Sequence, residues 1–232
     1  LSDEAREQQK QLKHKQDTAD KAMDKITETL ESASDRRREV EVLRADMVVE
    51  QKNTESKKAD IEVELSDVKP VLEEAKSAVG EIRSDNLNEI RSLKMPPEAI
   101  HDVLSAVLML LGIDDTSWLS MKRFLGQRGV KEEILNYDAH SLSPDLRKKV
   151  MKLLKSKGSS FDDKVIYRVS VAAAPLAKWV KANIRYSLVL EKINPLEREL
   201  REANEVLKRS EDRLSECQNE LNSIDDKVKE LK

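Results

Sequence analysis

The chain has one cysteine, five glycines and six prolines in 232 residues, and only 3% of it is aromatic. A single thiol, Cys217, excludes an internal disulfide and any zinc site built from cysteines. The three histidines, His14, His101 and His140, are scattered without metal-ligand spacing, so no metal and no cofactor are expected. No apolar run approaches the roughly 18 residues of a membrane span and the N-terminus is not signal-like, which makes an intracellular, soluble chain with no membrane partner the expectation. The glycines form no phosphate-binding loop, there is no Gly-Lys-Ser/Thr element, and no Ser, His and acid grouping is suggested by placement. No catalytic residue and no enzyme activity are expected of this stretch. Nothing alternates at period two over a useful length, so no sheet is required.

What the chain has in quantity is charge, 38% of its residues, which suits long solvated helices better than one large core. The aromatics all lie between Trp118 and Tyr186, and long heptad-patterned arms flank that stretch. In the return arm Trp179, Ala182, Tyr186, Val189, Ile193, Leu196, Leu200, Ala203, Leu207, Ser210, Leu214, Cys217, Leu221, Ile224, Val228 and Leu231 follow at alternating steps of three and four, the spacing of a supercoiling seam. The outgoing arm shows the rhythm through Leu12, Ala19, Met23, Ile26, Leu30, Ala33 and Val40, and again through Ile61, Leu65, Val68, Leu72, Ala75, Val79, Ile82 and Leu93. Between these runs the extrapolated seam falls on Arg37, Arg44, Gln51, Thr54 and Lys58, which make poor knobs. Weak or movable pairing is expected there, and apolar replacements at Arg44, Gln51 and Lys58 are expected to lock it.

The fold class that follows is all-α: a long antiparallel coiled-coil hairpin with a small globular helical-bundle domain at its tip. The expected divisions are an outgoing arm over 1–69, a tip over 70–195 and a return arm over 196–232. Pro70 lies 26 residues before Pro96 and Pro195 lies 20 after Pro175, so the two are expected at similar heights, as hinges where coiled coil gives way to tip. That register sets Leu231 opposite residues 34–41 and leaves the first three dozen residues without a partner in the chain. The start at Leu1 in mid-pattern suggests a piece of something larger.

Within the tip, Pro96 and Pro97 precede an almost all-round apolar helix from Ile100 to Leu111 stopped by Gly112. Asp115, Thr116 and Ser117 offer caps to a helix carrying Trp118, Met121, Phe124 and Leu125, and Gly126 and Gly129 precede another from Val130. Ser143 and Pro144 open a basic helix ending near Gly158. A last helix starts at Asp162 or Asp163 and is expected to pass through Pro175 with a bend. The tip holds 20 Lys and Arg against 16 Asp and Glu, the flanking arms 22 against 29, so the tip favours an acidic partner.

The segments LKMPPEAI at 93–100, LLG at 110–112, Trp118, APLAKW at 174–179, INPLERELR at 193–201 and VKP at 68–70, in this order, resemble the stalk and microtubule-binding domain of a dynein heavy chain over essentially the full length. The details are most similar to the cytoplasmic dynein heavy chains of intraflagellar transport. The resemblance implies α/β-tubulin in microtubules and the ATPase ring of the same heavy chain as partners, no nucleic acid, and a place in cytoplasm, cytoskeleton and cilium. It also implies that nucleotide state at the ring is relayed to the tip by a shift of coiled-coil register, ATP hydrolysis itself lying outside this stretch.

By matching position the resemblance puts the microtubule contact at Arg83, Arg91, Lys122, Arg128, Lys164 and Arg168. Three positions depart from conventional cytoplasmic dynein: Ser84 and Gln127 stand where basic residues are usual, and Lys164 where an acidic one is. A second basic cluster, Lys148, Lys149, Lys152, Lys155 and Lys157, is a solvated face on one reading and an auxiliary tubulin contact on another. The rivals to this function are a coiled-coil arm with a nucleic-acid-binding tip and a purely structural scaffold. Trp118 and Trp179 sit at helical spacing beside aliphatics, which argues for core packing over a stacking platform.

Overall fold

The computed structural model describes residues 3–230; Leu1 and Leu231, and the pairing expected of Leu231, lie outside them. Among the described residues the regular elements are helical: α1 (Asp3–Leu65), α2 (Val68–Gly80), α3 (Ser84–Ser92), α4 (Glu98–Leu110), α5 (Trp118–Leu125), α6 (Val130–Leu135), α7 (Pro144–Ser156), α8 (Asp163–Val169) and α9 (Ala173–Glu230), with 3₁₀ turns at Ala139–Ser141 and Gly158–Phe161. Among the described residues no helix is long and apolar enough to cross a membrane. The chain divides into two compact units, one of residues up to Lys58 and from Arg198 onward, the other Ala59–Glu197.

In the first unit α1 and α9 run antiparallel. Arg36 pairs with Glu220, and 21 residues further along α1 Lys57 meets Glu199, 21 residues back along α9, at 2.6 Å. The return seam is as the spacing predicts: Leu200, Ala203, Leu207, Ser210, Leu214, Cys217, Leu221, Ile224 and Val228 are buried or half-buried. The outgoing seam differs from expectation. Covered positions run through Ala22, Ile26, Thr29, Ala33, Arg36, Val40, Leu43, Met47, Glu50, Thr54 and Lys57, an unbroken alternation of four and three, whereas Arg37, Arg44, Gln51 and Lys58 are exposed. Leu12, Ala19, Met23 and Leu30 are also exposed. Coverage thus begins at Ala22 and not after three dozen residues. Polar seam positions do exist: Arg36, Glu50 and Lys57 each fall one residue earlier than extrapolated, while Thr54 lies on the seam as extrapolated, 4% exposed with no hydrogen-bond partner for its Oγ1.

Charged residues flank this seam as a connected set. Glu39 accepts from Arg213 Nε and from Arg36 Nη1, both at 2.7 Å, while Arg213 also reaches Glu216 at 3.2 Å and Arg37 lies 3.6 Å from Asp225. The bond from Arg213, and after it that from Arg36, holds the Glu39 carboxyl below the ordinary carboxylate range. A group depressed in the folded state contributes stability that is complete above its unfolded value and lost as pH falls through the folded one. Acidification below about pH 4 is therefore expected to lower the helical melting temperature of the wild-type chain. A Glu39→Gln chain should show a shallower fall, measured by circular dichroism.

In the second unit α4 is the central helix, with Val103, Leu104, Ala106, Val107 and Leu108 fully buried, and α5, α7 and α8 pack around it. Local chemistry fixes the helix starts. Ser117 Oγ accepts from the Ser120 N–H, Ser143 Oγ from Leu146, and Asp162 Oδ1 from Lys164 and Val165, each satisfying a donor the first turn leaves open. Gly112 (φ 78°) and Gly129 (φ 80°) take the left-handed backbone that glycine adopts without strain. Trp179 is fully buried with Tyr137 edge-on to it, ring centroids 5.4 Å apart.

Two expectations about prolines are corrected here. Glu64 meets Lys192 at 2.9 Å, which sets Pro195 level with Ile61 and Pro70 level with Tyr186. The prolines are not at the same height, because the chain between Gly80 and Pro96 does not run on as one helix: it breaks at Glu81–Arg83 and packs α3 as a separate element. Pro70 sits at the third position of α2, after a break at Ser66–Asp67, and Pro195 lies inside an uninterrupted α9. Pro175 does not bend a helix. The chain breaks ahead of it, Ser170 Oγ accepts from the Ala173 N–H at 3.2 Å, and Pro175 falls in the first turn of α9, where its missing donor costs nothing.

Candidate functional site

Many cations in the second unit are committed to holding the fold. Lys131 donates to the carbonyls of Gly80 (3.2 Å) and Ile82 (2.8 Å) at the end of α2, and Lys181 to Phe161 O (2.8 Å) and Asp163 (2.7 Å). Arg147, 6% exposed, donates to Ser187 Oγ at 3.1 Å and pairs with Glu191. Lys157 meets Glu98 at 2.5 Å and thereby holds that carboxyl below its usual range. Sequence spacing gave no sign of these roles, since the partners are about forty or more residues away in each case except Lys181.

The cations implied by the resemblance remain outside these structural bonds. Arg91, in the last turn of α3, lies over Gly126: a Cβ there would stand 2.8 Å from its Nη1 and 3.3 Å from the Lys122 carbonyl, so a larger residue would push the guanidinium end out of this position. Lys122 Nζ sits 5.4 Å from the Trp118 ring centroid, within cation–π range, and Trp118 Nε1 donates to Leu93 O at 3.3 Å. Trp118 thus fastens the end of α3 to the start of α5 while its face carries Lys122. It is half-buried, and the core role expected of both tryptophans holds in full only for Trp179.

Arg168 lines a groove of about 360 Å³ with Asn86, Glu89 and Ile90 of α3 and the segment linking α8 to α9. Lys164, one turn earlier, borders a separate recess with Ala78, Tyr167, Pro175 and Lys178. Both are exposed and neither meets an acid among the described residues. The fold therefore brings together Arg91 and Lys122, and sets Arg168 beside the same helix α3. Arg83, at the far end of α3, lies 3.6 Å from Asp85 with its side chain 77% exposed, and Arg128 stands exposed in the turn between Gly126 and Gly129; no described contact joins either to the others. Lys148, Lys149, Lys152 and Lys155 are exposed along α7.

Spacing did not point to the apolar side chains left in solvent on or beside these elements. Met95 is 83% exposed, and Leu119, Tyr167 and Val171 are exposed too. Leu119 lies off the buried stripe Met121–Phe124–Leu125 of α5, a signal the sequence does contain.

A family model for the microtubule-binding stalk of the dynein motor matches residues 2–232. The chain belongs to the dynein microtubule-binding stalk family. Among relatives of this dynein stalk, cytoplasmic dynein 2 heavy chain 1 of Chlamydomonas reinhardtii is 49% identical over 100% of the chain, and that of Homo sapiens is 49% identical over the same span. A cytoplasmic dynein heavy chain of Caenorhabditis elegans is 30% identical over 74% of it. The chain spans about 5% of the curated dynein 2 proteins it matches, and the matched region is the stalk, not the ATPase modules. Among solved structures, the microtubule-binding domain of dynein-c superposes with a TM-score of 0.51 at 25% identity, covering 58% of this chain and 94% of that one.

Proposed function

We propose that this dynein stalk binds microtubules through the face built by α3, α5 and α8, with Arg91, Lys122 and Arg168 as its core and Arg83, Arg128 and Lys164 around them. The observation that carries the reading is the seating of Arg91 and Lys122 at one junction, with Arg168 across a groove from the same helix. Each exposed charge contributes about 0–1 kcal/mol, so affinity rests on several modest contacts and falls as salt screens them. The nucleic-acid rival is weakened by the burial of Trp179, Phe124 and Phe161, which leaves Tyr167 as a single strongly exposed ring among the described residues, beside Arg168, since a single-strand reader stacks successive bases on several exposed rings in a basic groove.

Lys164→Glu, restoring the acidic residue of conventional cytoplasmic dynein, introduces repulsion from an acidic track and a partner for Arg168 one turn on. Affinity in microtubule co-sedimentation is expected to fall about threefold to tenfold, most steeply at low salt. Unchanged affinity across several salt concentrations counts against the face, and displacement of microtubules by nucleic acid would favour the rival.

The arms are proposed to relay nucleotide state from the ATPase ring of the heavy chain to this face by a change of register. Support comes from the charge spacing on α9: Arg36 faces Glu220, and Glu216 stands four residues away. A slide of about half a heptad presents Glu216 where Glu220 now is, so Arg36 has a partner in both registers while apolar seam residues meet apolar ones again. Likeness to dynein 2 supports a place in the cytoskeleton of cytoplasm and cilium.

A further inference from the structure

We propose that Ser143 is a phosphorylation site for a proline-directed Ser/Thr kinase, and that the phosphate competes with Glu191 for Arg147 and so loosens the polar tie between α7 and α9. Of the six prolines in the chain only Pro144 follows a serine or threonine. The segment between α6 and α7 holds only the 3₁₀ turn at Ala139–Ser141, and His140, Ser141, Ser143, Pro144 and Asp145 are exposed. Ser143 has φ −68° and ψ 149°, the extended backbone that a residue before proline adopts. A proline-directed kinase reads a serine in extended backbone followed by a residue with no amide donor, and Ser143 is presented in that form. Its Oγ accepts from the Leu146 N–H at 3.2 Å, and breaking that bond frees the hydroxyl. In the transfer the Ser143 oxygen forms a bond to the γ-phosphorus of ATP, the bond from that phosphorus to the bridging oxygen breaks with its electron pair leaving on ADP, and the hydroxyl proton passes to the base of the kinase.

Phosphoserine carries about −1.5 to −2 charges at neutral pH. At the start of α7 that charge stands beside the N–H groups the first turn leaves open, at the end of the helix that favours an anion. Arg147 lies one turn on, where residues at i and i+4 are neighbours. Its guanidinium now donates to Ser187 Oγ at 3.1 Å and pairs with Glu191. A phosphate with two charges and three acceptor oxygens is a stronger partner for a guanidinium than one carboxylate, and the Glu191 side chain, 58% exposed, is free to turn to solvent and is repelled by the new charge. Asp145, in the same turn, is exposed, so water and salt screen its repulsion. Leu146, Val150, Leu153 and Leu154 still hold α7 against the core. The modification therefore removes one tie to α9 and leaves the fold in place.

The test incubates the full chain with ATP and a purified mitogen-activated protein kinase and locates the phosphate by mass spectrometry. Ser143 is expected to be the principal site. Ser143→Asn, which keeps a helix cap, should remove it, and Pro144→Ala, which keeps the hydroxyl, should slow the reaction at least about tenfold. Phosphorus NMR then titrates the modified chain: the phosphate is expected to take up its second proton at about pH 5.5 or below instead of the ordinary value near 6. Arg147→Gln should move that midpoint back towards the ordinary value, and Glu191→Gln, which frees Arg147 from its carboxylate, should move it lower still. The proposal is overturned if Ser143 stays unmodified, if Pro144→Ala reacts at the wild-type rate, or if the phosphate titrates alike in the wild-type, Arg147→Gln and Glu191→Gln chains.

Discussion

Replacing Trp179 by alanine is expected to destabilise the Ala59–Glu197 unit by about 3–5 kcal/mol, a large share of the 5–15 kcal/mol typical of a folded domain. The indole is fully buried on α9, edge-on to Tyr137, and in a densely packed interior its removal leaves a cavity that neighbours fill only in part. One feature works in the opposite direction. Trp179 Nε1 is buried without a hydrogen-bond partner, as are Tyr137 Oη and Asn183 Oδ1, and an unpaired buried donor costs roughly 1–3 kcal/mol. Burial, with the Asp138 charge adding to it, also pushes the Tyr137 phenol up to about 12. Trp179→Phe removes the orphaned donor along with part of the volume, so it should cost clearly less than alanine. Urea unfolding followed through the remaining Trp118 fluorescence measures both. Both variants remove the donor, so equal losses for alanine and phenylalanine would show that the ring volume phenylalanine keeps has no energetic weight.

The second large effect is expected from the seam. Glu50, Thr54 and Lys57 occupy positions facing α9, and converting all three to leucine replaces polar contacts with apolar ones worth about 1.5–3 kcal/mol each if fully buried. The melting temperature of the helical signal should rise, and the alternative register, which needs these residues to leave their partners, should lose its population. Crosslinked forms held in two registers are expected to differ in microtubule affinity by about tenfold, within the usual range of coupling between sites. The leucine variant should hold one of the two affinities. Equal binding by both crosslinked forms would end the relay proposal. Arg44, Gln51 and Lys58, the positions extrapolation selected, are solvent-exposed, so apolar residues there should leave register unaffected.

That one-residue difference marks how far the sequence was legible. The return arm could be read position by position because its apolar residues keep strict steps of three and four with few apolar residues elsewhere. In the outgoing arm Met23, Leu30, Val42, Val48 and Val49 are apolar yet exposed, while Arg36, Glu50 and Lys57 are polar yet on the seam. Only pairing with α9 settles that phase. Helix starts at Ser117, Ser143 and Asp162 were legible because a cap is a local bond between a side chain and the next turn. The break at Ser170 was not, because the apolar pattern runs straight through it. At the candidate site, cation positions could be read but not their availability: Arg147 and Arg91 look alike in sequence, and one is locked to α9 while the other arches over Gly126.

The interruption at Ser66–Asp67 gives the two sides of the Ala59–Glu197 unit different mechanical character. A helix has a fixed rise of 1.5 Å per residue, so α9 passes through the unit with its length set. On the opposite side α1 ends at Leu65 and α2 begins at Val68, with Ser66 and Asp67 outside both helices. The outgoing side is therefore two helices laid end to end where the return side is a single strut.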